Sequence, residues 1–386
     1  MAVDFQTLAV KGVQGLSPYQ PGKPIEELER ELGISDILKL ASNENPMGPS
    51  TTVVDALHDP VIEMDLYPDG NGFILKQKLS EKIGVSKSQI TLGNGSNDVL
   101  DMIARAFLCA GREAVYSEYA FAVYPISVQS VGATAKVAKA LPVDHQDNPY
   151  GHDLQAMQAL ISDKTSVIFI ANPNNPTGTW LGAKELDDFV SRVPESVIVV
   201  VDEAYFEYVQ EPDYPDTLQW LDKYPNLIVT RTFSKIYALA SLRVGYAVCS
   251  EPIADLLNRV RQPFNVNTPA LVAATAALDD EEHLQTCRDM NTQGIKFWQA
   301  ACQSRGLGYI PGVGNFITID FGQFAMPIYE ALLREGVIVR PVANYGLPDH
   351  LRITISTPEQ NQQCLDALDK VLANLHPQIT PINADD

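Results

Sequence analysis

An α/β fold, with a mainly parallel sheet between helices and a smaller α+β domain after it, is what the sequence predicts. Three observations predict it. From about residue 75 to 250, short apolar runs alternate with stretches of helical periodicity. Several of the runs, above all Val197-Ile198-Val199-Val200-Val201, are apolar at every position, as strands covered on both faces should be. Beyond about residue 282 the rhythm changes to one long helical stretch followed by short strands and further helices. The expected division is 1–50 as an N-terminal arm and part of the small domain, 51–281 as the large domain, and 282–386 as the C-terminal small domain.

Taken in order, Ile25 to Leu32 has helical spacing, with Pro24 able to occupy its first turn and Gly33 to stop it. Ile37-Leu38-Lys39-Leu40 reads as a strand, and Ala41 to Pro49 is a polar, turn-rich segment: a linker or a loop over a pocket. Tyr67-Pro68-Asp69-Gly70 is a second such loop. A strand ending at Leu92 leads through Gly93-Asn94-Gly95-Ser96-Asn97 into a helix whose apolar face is Val99, Leu100, Met102, Ile103, Ala106 and Phe107. Further strands are expected at 114–116, 166–171, 197–201, 227–229 and 244–248. Downstream come a helix over 282–304, a strand over 315–320, a helix over 328–334 ending at Gly336, and strands at 337–340 and 351–355. Thr357-Pro358-Glu359 opens the last helix with a cap, a proline and an acid in the first turn.

Composition narrows the function classes. Against 28 basic residues stand 48 acidic ones, a net charge of −20, so nucleic acid and acidic membrane surfaces are disfavoured as partners. Any anionic ligand must be held by local positive groups. The segment Met1 to Gln6 lacks the basic and apolar regions of a signal peptide, which leads us to expect a cytoplasmic protein. Five widely spaced cysteines without a CxxC pair read as buried free thiols, and no metal site is expected.

Four segments fall at the ends of expected strands, the edge where open α/β sheets bind ligands. Lys235 follows the run Asn226 to Thr230. An amine there can form a Schiff base with a carbonyl compound, the commonest such cofactor being pyridoxal phosphate. Asp202 emerges after Val197 to Val201, where a carboxylate needs a cationic or hydrogen-bonding partner. Asn172-Pro173-Asn174-Asn175-Pro176 fixes a non-helical loop from which Asn175 can donate, and the Gly93 to Asn97 turn can aim free amides at an anion. Taken singly, each has a plain structural role: a solvated lysine, a carboxylate in a salt bridge or helix cap, a tight turn, and Ser96 as an N-cap.

The joint order GNGSN, NPTG, DEAY, SK and ALASLRVG resembles the fold-type I pyridoxal phosphate enzymes, and within them the class I and II aminotransferases, over Ser42 to Arg352. The resemblance implies a seven-stranded sheet, pyridoxal 5'-phosphate as cofactor and a homodimer. It implies that Lys235 carries the cofactor, Asp202 pairs with the pyridine nitrogen, Asn175 and Tyr205 bond the ring oxygen, and Tyr119 stacks on the ring. Gly95, Ser96, Asn97, Thr232, Ser234 and Arg243 would hold the phosphate, with Tyr67 reaching it from the neighbouring subunit. Arg340 and Arg352 look like the pair that receives a substrate's phosphate or carboxylate, with Tyr19 and Asn43 as further substrate contacts.

The implied substrates are small molecules, a phosphorylated amino alcohol with glutamate and 2-oxoglutarate as the second pair. Rival readings are an aromatic amino acid aminotransferase, a decarboxylase acting on threonine phosphate, a non-catalytic regulator that binds the cofactor, and a nicotinamide dehydrogenase. The last lacks its dinucleotide fingerprint.

Overall fold

The computed structural model describes residues 4–19, 21–58 and 65–375; the outermost parts of the expected terminal domains, 1–3 and 376–386, lie outside them. The chain forms two compact units. One comprises Met1–Gln20, Glu44–Asp289 and Pro311–Gly314, the other Pro21–Asn43, Met290–Ile310 and Asn315–Asp386. These divisions fall at 43/44 and 289/290, where the sequence reading has 50/51 and 281/282. The helix Glu281–Arg305 runs unbroken across the second of them, so no turn or composition break marks it.

Strand β1 (Leu38–Lys39) belongs to the second unit. The first unit is built on β2 (Ile90–Gly93), β3 (Glu113–Ser117), β4 (Thr134–Ala138), β5 (Thr165–Ala171), β6 (Ile198–Asp202), β7 (Leu227–Thr232) and β8 (Gly245–Cys249). They form one seven-stranded sheet in the order β2-β8-β7-β6-β5-β3-β4. Only β8 runs against the rest, being antiparallel to both β2 and β7. The carboxyl ends of β2, β5, β6 and β7 therefore share one edge. β6 and β7 are buried at every residue. Val200, Phe169 and Ile228 pack with Val99, Met102 and Ile103 of the helix Ser96–Phe107 in one apolar cluster.

Three details depart from expectation. β4 escaped the sequence reading because it is a sheet-edge strand with mostly exposed or half-buried residues, so it carries no apolar run. β7 continues through Arg231 and Thr232, because Arg231 is buried in an ion pair rather than solvated. Of the five cysteines, four are buried but Cys109 is exposed, in the turn that follows the helix Ser96–Phe107.

The second unit holds a four-stranded antiparallel sheet of β9 (Gly308–Ile310), β10 (Phe316–Asp320), β12 (Arg340–Pro341) and β13 (His350–Thr354), in the order β12-β13-β10-β9. β11 (Val337–Ile338) pairs in parallel with β1. Trp298, Ile319, Leu332, Ile353 and Leu368 close its core. Thr357 caps the last helix, Pro358–Leu375, by accepting from Gln360 N at 3.3 Å. No helix among the described residues is long and apolar enough to cross a membrane.

Candidate active site

Asp202 is the last residue of β6 and 4% exposed. Its carboxylate accepts from the Tyr124 hydroxyl at 2.8 Å and from the Thr230 hydroxyl at 2.9 Å. Burial pushes its pKa up; the two hydrogen bonds and the positive charge of Lys235 pull it down. Such a carboxylate, held in a dry site with both oxygens fixed, is an acceptor for a cationic N–H.

Lys235 lies three residues past the end of β7 and is half-buried. Its Nζ stands 5.6 Å from the centroid of the Tyr205 ring, itself only 3% exposed. The amine thus stands over an aromatic face and near enough to the Asp202 carboxylate for its charge to act on it. Ile236, Lys235's neighbour, is pinned by Asn45, whose side chain donates to its carbonyl at 2.7 Å.

The turn after β2 is tightly packed against Arg243. Gly95 caps the helix with φ of +82°, so Ser96 is the first helical residue and not the cap the sequence reading made it. A non-glycine residue is disfavoured there on two grounds, the positive φ and the space: a Cβ on Gly95 would stand 2.3 Å from Arg243 Nη2. The Arg243 guanidinium donates to Ser234 Oγ at 3.3 Å and to the Ala240 carbonyl at 2.8 Å. Ser234 N donates to Thr232 Oγ1 at 3.1 Å, tightening the turn beneath. Gly245 serves the same crowding, since a Cβ on it would meet Ser96 N at 2.5 Å. The Arg243 guanidinium and the hydroxyls of Ser234 and Thr232 thus gather beside the start of the helix Ser96–Phe107.

The loop after β5 is ordered by its own amides. Asn172 Oδ1 accepts from Leu181 N at 2.9 Å, and Asn174 donates to the Tyr119 carbonyl at 2.9 Å and to Thr177 Oγ1 at 2.8 Å. Both the Asn172-Pro173 and Asn175-Pro176 bonds are cis. Asn175 is half-buried in this loop, and Tyr119 packs edge-on against Tyr150 with centroids 5.6 Å apart. Asn97 is exposed at the first turn of the helix. Tyr67 is 83% exposed, with its ring stacked 4.7 Å from that of Phe264. Tyr19 is half exposed.

In the second unit, Arg340 of β12 and Arg352 of β13 are direct cross-strand partners, 8% and 5% exposed. Arg352 donates to the Ala41 carbonyl at 2.7 Å and lies over the Phe316 ring at 5.3 Å. Asn43, 1% exposed, accepts at its carbonyl from Asn315 at 3.0 Å and donates from its backbone to Thr354 Oγ1 at 3.0 Å.

Sequence reasoning missed the residues that hold Asp202. Tyr124 lies in the helix Val123–Ser130, with nothing local to mark it. Also missed is the buried network beside the site, in which Arg231 donates to Glu203 at 2.8 Å and to Asp216 at 2.9 Å while Thr217 donates to Glu203 at 2.5 Å. The signal was present: an acid directly after Asp202 and an arginine inside an apolar strand both require buried partners.

Residues 35–368 match the family profile described as "Aminotransferase class I and II". A protein of Pseudomonas fluorescens (strain Pf0-1) called histidinol-phosphate aminotransferase 2 is 57% identical over 97% of this chain and 100% of its own. One of the same name from Methylococcus capsulatus is 59% identical over 96% of this chain and all of its own. Among solved structures, the histidinol-phosphate aminotransferase of Sinorhizobium meliloti in complex with pyridoxal-5'-phosphate superposes with a TM-score of 0.86 at 27% identity, covering 94% of this chain and 97% of that one.

Proposed function

The chain belongs to the class I and II aminotransferases, and on that premise we propose that it exchanges an amino group between histidinol phosphate and 2-oxoglutarate, giving imidazole-acetol phosphate and glutamate. The step would serve histidine biosynthesis. One observation carries the chemistry: a buried carboxylate, Asp202, fixed by two hydroxyls, with the amine of Lys235 close enough for its charge to act on it.

The residues fit pyridoxal 5'-phosphate on the chemistry of the donor set and on shape. Asp202 is an acceptor suited to a protonated ring nitrogen, and the Gly95 turn with Ser96, Asn97, Thr232, Ser234 and Arg243 is a cradle that any Cβ at Gly95 would fill. When bound, the cofactor supplies an electrophilic aldehyde carbon and an electron-withdrawing ring. Lys235 would hold the aldehyde through its amine and, once that amine is free, would be the base placed to move the proton at the substrate Cα. Asn175 and Tyr205 would donate to the ring oxygen, and Tyr119 would cover the ring face. Tyr124 and Thr230, by donating to Asp202, would favour its ionised form, which would in turn favour a proton on the ring nitrogen.

Arg340 and Arg352 would receive the substrate phosphate, aided by Tyr19 and Asn43; that the two arginines stand directly opposite each other on neighbouring strands supports the reading. We further propose that two copies associate and that Tyr67 reaches the phosphate cradle of its neighbour. Its 83% exposure within one chain supports that reading.

The test is turnover of purified protein with 2-oxoglutarate as acceptor. Histidinol phosphate should give the higher kcat/KM. A higher value for phenylalanine would move the assignment to an aromatic amino acid aminotransferase, and the absence of turnover with any amino donor would favour a non-catalytic binder.

A further inference from the structure

We propose that the first unit carries a second binding site, apart from Lys235, for a small organic cation that has an N–H donor and a flat apolar body. The site is a cavity of about 600 Å³ bounded by the segment after β6, the start of the helix Glu281–Arg305 and the outer side of β7 and β8. That volume suits a small-molecule ligand. None of Lys235, Asp202, Asn175 and Arg243 lines it.

The cavity's chemistry is asymmetric. Its cations are already matched: Arg231 donates to Glu203 and Asp216, and Arg288 pairs with Glu281 at 2.6 Å. Its deepest carboxylate is not. Glu207 Oε2 is shut off from solvent and has no hydrogen-bond partner among the described residues. Arg231 is near enough to pull the Glu207 pKa down, yet burial dominates and pushes it up to about 7. Apart from its own backbone N–H the fold gives this carboxylate no hydrogen-bond donor, and an N–H cation in the adjoining space would offset the cost of leaving Oε2 unmet.

The walls favour an organic cation over a bare ion. Tyr214, Tyr237 and Tyr246 line the same cavity with Phe206, one face of which the Arg231 guanidinium already covers at 3.5 Å, and aromatic faces attract a desolvated cation while covering its apolar body. Among the described residues no group of His, Cys, Asp and Glu side chains is arranged to hold a metal ion. Occupancy would be felt at the reaction site through short connections. Tyr237 is two residues from Lys235, and Glu203 is next to Asp202.

The probe is N,N-dimethylbenzylammonium, a tertiary amine that cannot condense with an aldehyde, titrated calorimetrically into cofactor-loaded protein. Expected is saturable binding of one probe per chain with a Kd of about 1 mM or tighter. Glu207→Gln should weaken it at least tenfold, and Phe206→Leu should weaken it as well. Lys235→Ala and Glu185→Gln, the latter a carboxylate outside the cavity, should leave it unchanged. No saturable binding to the unmodified protein, loss of binding in Lys235→Ala, or equal binding by a folded Glu207→Gln would each overturn the proposal. Should Glu207→Gln not fold, undiminished binding by Phe206→Leu overturns it instead.

Discussion

The hydroxyl of Tyr124, a residue with no solvent exposure, donates to Asp202 Oδ2 at 2.8 Å across 78 residues of sequence. Burial raises the Tyr124 pKa well above its usual value, so the group stays a donor throughout the working range of the protein. The bond favours the ionised form of Asp202 and so opposes the upward pull of burial on its pKa.

Replacing Tyr124 by Phe should therefore lower kcat/KM for transamination by about tenfold or more, since a hydrogen bond to a charged group is worth about 1.5–3 kcal/mol. The fold should persist, because the ring stacked 4.9 Å from Phe169 is retained. Steady-state kinetics with a parallel circular dichroism spectrum checks both halves. Unchanged kinetics would show that Thr230 alone suffices.

Lys235→Ala should abolish multiple turnover while leaving the thermal transition of the protein in place. The lysine is half-buried and its removal opens no large cavity in the core. Rates measured over many enzyme equivalents of substrate decide it: sustained turnover would remove Lys235 from the mechanism.

Gly95→Ala should weaken cofactor binding by tenfold or more with a smaller effect on stability. The substitution places a methyl group 2.3 Å from Arg243 Nη2 and forces a side chain onto a φ of +82°. Equilibrium dialysis against pyridoxal phosphate is the measurement, and an affinity equal to the parent's would refute the cradle.

The ion pair of Arg231 with Glu203, 2.7 Å apart and 6% and 0% exposed, predicts a large stability cost for Glu203→Gln. Removing one partner strands the other charge, at about 3–5 kcal/mol. Urea unfolding should show the midpoint falling at constant slope. A loss below about 1 kcal/mol would mean that Asp216 can take the full charge of Arg231.

His152 sets a pH dependence. It is 3% exposed, its Nε2 lies 2.9 Å from the Ala171 carbonyl, and burial lowers its pKa to about 4. Between that value and about 6.5 the unfolded chain binds the proton and the folded chain does not. Its contribution is therefore complete above pH 6.5 and is lost as pH falls towards 4, to a limit of about 3 kcal/mol. Urea midpoints at pH 4.5 and 7.5 should differ less in His152→Asn than in the parent protein; an equal difference would assign the acid sensitivity elsewhere.

What the sequence determined alone was whatever short-range chemistry records. Apolar runs marked β5, β6 and β7, a glycine turn before a helix marked the anion cradle, and Lys235 and Asp202 stood out because each follows such a run. Tertiary structure alone decided which residues meet. The order β2-β8-β7-β6-β5-β3-β4 brings four strand ends to one edge, and no local pattern encodes that order. Tyr124 reaches Asp202, Glu203 finds Arg231, and Arg340 faces Arg352, each across a separation at which local preferences are silent. A buried charge announces that it needs a partner, but only the folded packing, which minimises unpaired polar groups over the whole chain at once, selects the one it gets.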